Sequence, residues 1–207
     1  VKDVLKRKRL SDAGLVDRVA RFLFDNIGNL SSMRSIAGSL NQLGAKTNAN
    51  TVDGYVDALC DAFLFYKAER YDIRGKEVLT SGCKYYAADL GMRTRLEGNK
   101  VGDTGRILEN VIYLELLRRY GSVMVGQNDG KEVDFVVREG REVRYFQVSE
   151  SVRSEETRQR EFASLLTIND HYPKMLITLD EDLPGEINGV RQVNAYDWLL
   201  SKGALAE

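Results

Sequence analysis

The sequence predicts a mixed α and β chain in two parts: an N-terminal unit of three helices and a two-stranded ribbon over residues 1–101, and a helix-and-sheet unit over residues 102–207. Two observations carry this. Apolar residues recur three times with helical spacing before Phe63 and then give way to short β-prone runs. After Gly102 a long helical stretch leads into three strand-like runs, separated by turn signals at Asn128-Asp129-Gly130 and Glu139-Gly140-Arg141.

The first helix starts from Ser11 as N-cap, with Leu15, Val16, Val19 and Leu23 on one face and Gly28 as its stop. A second fits Ser32 to Leu43, burying Ile36, Leu40 and Leu43 before Gly44. The third follows Thr47-Asn48-Ala49-Asn50-Thr51 and buries Val52, Val56, Leu59 and Phe63. Leu64 to Ala68 and Lys84 to Ala87 read as two strands joined across a polar tip around Asp72 to Glu77. Three helices followed by a two-stranded ribbon make a winged helix-turn-helix.

In DNA readers of that class the helix after the turn offers polar and basic side chains to base edges. Here Asp53, Asp57 and Asp61 instead form an acidic stripe, with no Lys or Arg between Thr47 and Phe63. Only Asn48, Asn50 and Thr51 are left to meet a duplex, so a packing or oligomerisation module is the favoured reading of this half. The N-terminal arm is the other nucleic-acid candidate. Lys6, Arg7, Lys8 and Arg9 lie there together, and residues 1 to 101 carry 17 Lys or Arg against 12 Asp or Glu, while residues 102 to 207 carry 13 against 19.

In the second half, Gly102 to Tyr120 forms a helix with Ile107, Val111, Leu114 and Leu117 as its apolar stripe, and Glu109 lies off the centre of that stripe. Strands follow at Ser122 to Val125, Glu132 to Val137 and Val143 to Ser149, then a polar helix from near Ser154, and strands at Lys174 to Leu179 and Gly189 to Val193. This αβββαβ order, with Glu132-Val133-Asp134-Phe135 on one strand and Phe146-Gln147-Val148-Ser149 on the next, resembles the PD-(D/E)XK, or restriction-endonuclease-like, core. The resemblance implies catalytic positions at Glu109, Asp134, Gln147 and Ser149. Glu109, Asp134 and Gln147 would be the oxygen donors to a magnesium ion that activates water and stabilises charge on a phosphodiester.

Ser149 stands where that pattern carries a lysine, and Gln147 offers one neutral oxygen. Arg158 or Arg160 could bring a cation from the following helix, although guanidinium is a poor proton acceptor. A structural reading stands beside the catalytic one: Asp134 caps or bridges a strand end, Glu109 pairs with Arg106 or Tyr113, and Gln147 and Ser149 close a neutral hydrogen-bond network. Together these favour a retained fold with weak or absent cleavage.

Across nearly the whole chain, Val1 to Val4, the winged-helix segment and the run Lys84-Tyr85-Tyr86-Ala87-Ala88-Asp89-Leu90-Gly91 join Gly105 to Asn110, Glu132 to Phe135 and Thr157 to Glu161 in a further likeness. It resembles a bacterial and archaeal domain of unknown function that lies C-terminal to an AAA-type ATPase module. The resemblance implies an ATPase upstream as intramolecular partner. No Gly-x-x-x-x-Gly-Lys-Ser/Thr run occurs, so any ATP site lies outside these residues. A start at Val1 is expected of a piece of a longer protein.

A 43% hydrophobic and 29% charged composition describes a folded, soluble chain, and no apolar run is long enough to span a membrane. Cys60 and Cys83 lack metal-ligand neighbours and read as reduced core thiols, which points to the cytoplasm. Lone His171 reads as a surface loop residue. Homo-oligomerisation stays open. The leading expectation is a regulatory region that meets a partner or nucleic acid; its rivals are a metal-dependent nuclease and a winged-helix DNA regulator.

Overall fold

The computed structural model describes residues 12–98, 102–181 and 185–201. The basic arm from Lys6 to Arg9, and Ser11, lie outside them. The described chain is a mixed α+β fold with seven helices and an eight-stranded mixed sheet in the order β2-β1-β3-β4-β5-β6-β8-β7. It divides into two compact units, residues 1–68 with 81–101, and residues 69–80 with 102–207. Among the described residues no helix is long and apolar enough to cross a membrane.

In the first unit, α1 (Ala13–Asp25), α2 (Met33–Gln42) and α3 (Ala49–Asp61) precede a ribbon of β1 (Phe65–Asp72) and β2 (Glu77–Ala87), then α4 (Leu90–Glu97). Each of the three leading helices begins on a side-chain cap that takes an otherwise orphaned amide. The first cap is Asp12 rather than Ser11, its carboxylate 2.9 Å from the Leu15 amide. Ser32 and Ser35 cap α2 reciprocally, and the Asn48 side chain accepts from Thr51 at 3.0 Å. A bridge between Ser31 and Cys83 adds a one-residue strand beside β2.

Val16, Val19, Leu23, Ile36, Leu40, Val52, Val56 and Leu59 fill this core as expected. Two expected core residues do not. Leu43 and Phe63 are 74% and 71% exposed, because each stands just past the last residue of its helix, where the turn changes direction before the side chain can rejoin the stripe. Phe63 even adopts φ of 56°.

The second unit holds the ribbon tip and α5 (Thr104–Tyr120), β3 (Met124–Asn128), β4 (Lys131–Glu139), β5 (Glu142–Ser149), α6 (Glu155–Leu166), β6 (Lys174–Thr178), β7 (Glu186–Ile187), β8 (Val190–Asn194) and α7 (Ala195–Leu200). β3, β4 and β5 form the expected antiparallel meander; β5, β6 and β8 then run parallel. The turn Asp129-Gly130, with φ of 47° and 81°, is the two-residue primed turn that suits the twist of paired strands.

The buried face of α5 is a correction. Leu108, Ile112, Tyr113 and Leu116 are buried, whereas Ile107 is 38% exposed and Val111, Leu114 and Leu117 are only partly covered. Apolar residues occur on every side of this helix, so spacing alone could not choose the face that meets the sheet.

Near its C-terminus α5 also anchors α7. The Arg119 guanidinium lies 4.1 Å from the centre of the Trp198 ring and donates to the Trp198 carbonyl at 2.8 Å. Glu115 holds that guanidinium at 2.6 Å and Arg118 as well, and these hydrogen bonds, Arg118's foremost, lower the Glu115 pKa to about 2. A carboxylate with a depressed folded-state pKa stabilises the fold above its unfolded value and loses that contribution as pH falls towards the folded one. We therefore expect Glu115→Gln to be less stable than wild type at pH 7, with the difference closing between the ordinary glutamate range and about pH 2. Urea unfolding of both proteins across that range checks this; a pH-independent difference would refute it.

Candidate functional site

β4 carries one residue more than β3 across their shared stretch: Met124 pairs with Val136, but Gly126 pairs with Val133. Asp134 and Phe135 occupy this β-bulge, which turns both flanking valines to one face. Gly126 beneath them cannot carry a side chain. A Cβ there would lie 2.7 Å from Val136 and 3.0 Å from both Val133 and Ile73.

Regular pairing of β4 with β5 stops at Phe135 and Phe146. Beyond it, side chains take over the ladder. Asp134 Oδ2 accepts from the Val148 backbone N–H at 2.8 Å, and Gln147 Oε1 accepts from the Asp134 backbone N–H at 3.2 Å. The sequence-predicted pair Asp134 and Gln147 is therefore brought together, 7% and 8% exposed, by bonds to backbone.

Gln147 is further tied to α6. Its oxygen also accepts from Ser164 Oγ at 3.1 Å, and its Nε2 donates to Glu161 Oε2 at 2.8 Å. Glu161 is 8% exposed and meets Arg160 through its other oxygen at 2.8 Å, so the cation expected from α6 is held by Glu161. Arg158 is exposed. Ser149 Oγ donates to the Ser151 carbonyl at 3.2 Å, so the expected Gln147 and Ser149 network is instead one of Gln147, Ser164 and Glu161.

Glu109 belongs to a helix on the other side. Tyr113 and Tyr120 of α5 pack against Phe135 and Phe146, with ring centres 5.8 and 6.4 Å apart. Phe146 and Gln147 are neighbours on β5 and point to opposite faces. The Gln147 amide thus faces α6, while the helix bearing Glu109 packs on the Phe146 face.

This donor set does not fit a magnesium ion. The Gln147 oxygen already accepts two hydrogen bonds, Glu109 belongs to the helix that packs on the opposite face, and among the described residues no group of three or more His, Cys, Asp or Glu side chains is placed to hold a metal.

Sequence reasoning missed Glu161, although its signal was present. It is adjacent to Phe162 and four residues before Leu165, so it shares their inward stripe. Asp180 was missed too. It is 6% exposed and binds Ser151 Oγ at 2.7 Å and the Val152 amide at 2.8 Å, fixing the loop after β5.

In the first unit, Asp53, Asp57 and Asp61 lie on the exposed side of α3, with Asn50 also exposed, and the Asn48 carbonyl oxygen is occupied by its capping bonds. Cys60 and Cys83 are not joined in a disulfide; burial, with Asp57 nearby, pushes the Cys60 thiol up to about 12. His171 is exposed.

Asp134→Ala would strand the part-buried Val148 amide, and leaving such a donor unsatisfied costs about 1 kcal/mol, up to about 3 where the donor is fully buried. We expect that loss in urea unfolding, with Asp134→Asn, which keeps an acceptor oxygen, recovering most of it. Equal stability of Asp134→Ala and wild type would show that the carboxylate does not complete the ladder.

A model for a domain of unknown function, DUF8612, matches residues 1–103. An uncharacterised protein of Haemophilus influenzae is 39% identical over 198 residues, covering 96% of this chain and 49% of the relative. An uncharacterised protein of Methanocaldococcus jannaschii is 26% identical over 140 residues, covering 66% of this chain and 31% of the relative. No solved structure matches significantly. The chain spans about half the length of the first of these curated relatives and about a third of the second, and over residues 1–103 it is similar to the DUF8612 domain.

Proposed function

We propose that this chain is a C-terminal regulatory region of a larger AAA-type ATPase, built from a winged helix and a nuclease-like unit whose cleavage site is degenerate, and that it works by contact with a partner or nucleic acid. One observation carries the reading. The acidic and amide groups at the nuclease-like positions complete backbone hydrogen bonds between β4 and β5, and the neutral Ser149 replaces the cation that phosphodiester cleavage would use. The length of the Haemophilus relative, about twice the matched stretch, supports a further module in the parent protein.

The three helices, the ribbon and the Ser31–Cys83 bridge support the winged-helix part of the reading. The exposed acidic stripe on α3 argues against this helix as a base reader, because it opposes phosphate wherever α3 would approach a duplex.

Incubation with magnesium and single- or double-stranded DNA or RNA should give no cleavage above the buffer control. Magnesium-dependent cleavage by wild type that disappears in the stably folded Asp134→Asn would overturn the degenerate-site reading in favour of a nuclease.

Duplex binding should be weak, salt-sensitive and carried by Lys6, Arg7, Lys8 and Arg9. Deleting residues 1–10 should remove most of it, while Asn50→Ala changes it less than about twofold. A harmless deletion, with Asn50→Ala relaxing recognition of one sequence, would make α3 a base reader.

A further inference from the structure

The second unit contains a hollow of about 770 Å³ that plays no part in the Asp134 network. Its walls are turns: the β1–β2 tip supplies Arg74 and Lys76, the end of β4 and the β4–β5 turn supply Arg138 and Arg141, and the α6–β6 loop supplies Asn169 and Tyr172. From this we infer a binding site for single-stranded nucleic acid, an inference that rests on the nucleic-acid contact of the proposed function, gives it a place and a substrate class, and needs neither the ATPase nor any cleavage.

Charge argues first. Four cations line the hollow, and its two carboxylates are already engaged. Asp129 pairs with Arg74 at 2.9 Å, and Asp170 accepts from Tyr145 at 2.7 Å and from Lys174 at 3.1 Å. Among the described residues no carboxylate pairs with Lys76, Arg138 or Arg141, and all three are exposed. Arg138 lies over the Tyr71 ring at 5.4 Å, which sets its guanidinium against the floor without neutralising it.

Distribution argues next. The cations sit on two separate turns rather than converging on one point, which suits successive phosphates of a strand better than a single phosphate group. Tyr172 adds a base platform. It is 38% exposed, yet its position is fixed from both ends: its hydroxyl donates to the Arg141 carbonyl at 2.9 Å and its amide donates to Asp170 at 3.1 Å. A held aromatic ring bonded to the backbone of Arg141, whose side chain is exposed, offers a stacking surface close to a cation, and exposed Asn169 can bond a base edge. A duplex hides its base faces and could use only the charges.

The test is fluorescence anisotropy of the whole chain with a labelled 20-mer of dT, a duplex of the same length, and poly-glutamate. The strand should bind tighter than either competitor. Lys76→Glu with Arg141→Glu should weaken strand binding about tenfold or more and reduce its salt slope by about 0.7 for each phosphate contact removed. Tyr172→Leu should weaken it at least about fivefold, and Tyr172→Phe should retain most of the affinity because the ring remains. Arg158→Glu, an equally exposed reversal on α6, should leave binding within about twofold. Circular dichroism of each variant confirms that it is folded. Unchanged strand binding in the double reversal overturns the inference, as does a strand affinity that only deletion of residues 1–10 removes. Equal or tighter binding of poly-glutamate would assign the hollow to an acidic polypeptide instead. Cleavage assays do not enter, so failure here is distinct from failure of the degenerate-site reading.

Discussion

The Val148 amide points towards β4 at the place where β4 has stopped pairing, and an amide partly withdrawn from water between strands needs an acceptor. The acceptor is the Asp134 carboxylate, and the amide of Asp134 is in turn taken by the Gln147 side chain. This exchange satisfies both of those amides where the bulge interrupts the ladder. The bulge then turns Val133 and Val136 to the same face, and together with Ile73 from the ribbon tip they close over Gly126, which only a residue without a side chain permits. One extra residue in one strand therefore governs the local ladder, the packing above it and the choice of glycine below it.

The same bonds decide what the site can do. A carboxamide oxygen that accepts from two donors has no lone pair left for a metal ion or a water nucleophile, and one of the Asp134 oxygens is already engaged by an amide. Glu161 completes the network by accepting from the amide end of Gln147 with one oxygen and from Arg160 with the other. The surrounding structure satisfies these polar groups as one network. Removing one member would expose unpaired partners inside the unit, so these residue types can be required for folding even where no chemistry depends on them.

Much of the fold was legible because local rules act alone there. The three leading helices form where the apolar spacing put them, Asp129-Gly130 makes its turn, and three strands pair in sequence order. The sequence reading failed where a choice depends on tertiary surroundings. Leu43 and Phe63 obey helical spacing but lie past the helix ends, and α5 offers apolar residues on several faces, so the sheet decides which is buried. At the site, period-two reasoning put Asp134 and Gln147 on neighbouring strands, where they meet through bonds to backbone. It could not foresee the bulge, since the extra residue is defined only against β3, nor that α5 with Glu109 would pack on the face away from the Gln147 amide.

Charge carries a related lesson. Residues 1–101 hold an excess of basic residues and residues 102–207 an excess of acidic ones, which by totals alone would put phosphate binding in the first half. The described residues argue otherwise. The exposed face of α3 is acidic, whereas the hollow in the second unit gathers Arg138 and Arg141 with Arg74 and Lys76 from the ribbon tip. At physiological salt an exposed charge acts over roughly 8 Å, so a phosphate responds to the side chains lining its groove far more than to the sum over a hundred residues. Because the tip of the ribbon groups with the second unit, two of those four cations come from one half of the sequence and two from the other. The local field is therefore a product of the fold, and a tally along the chain cannot reveal it.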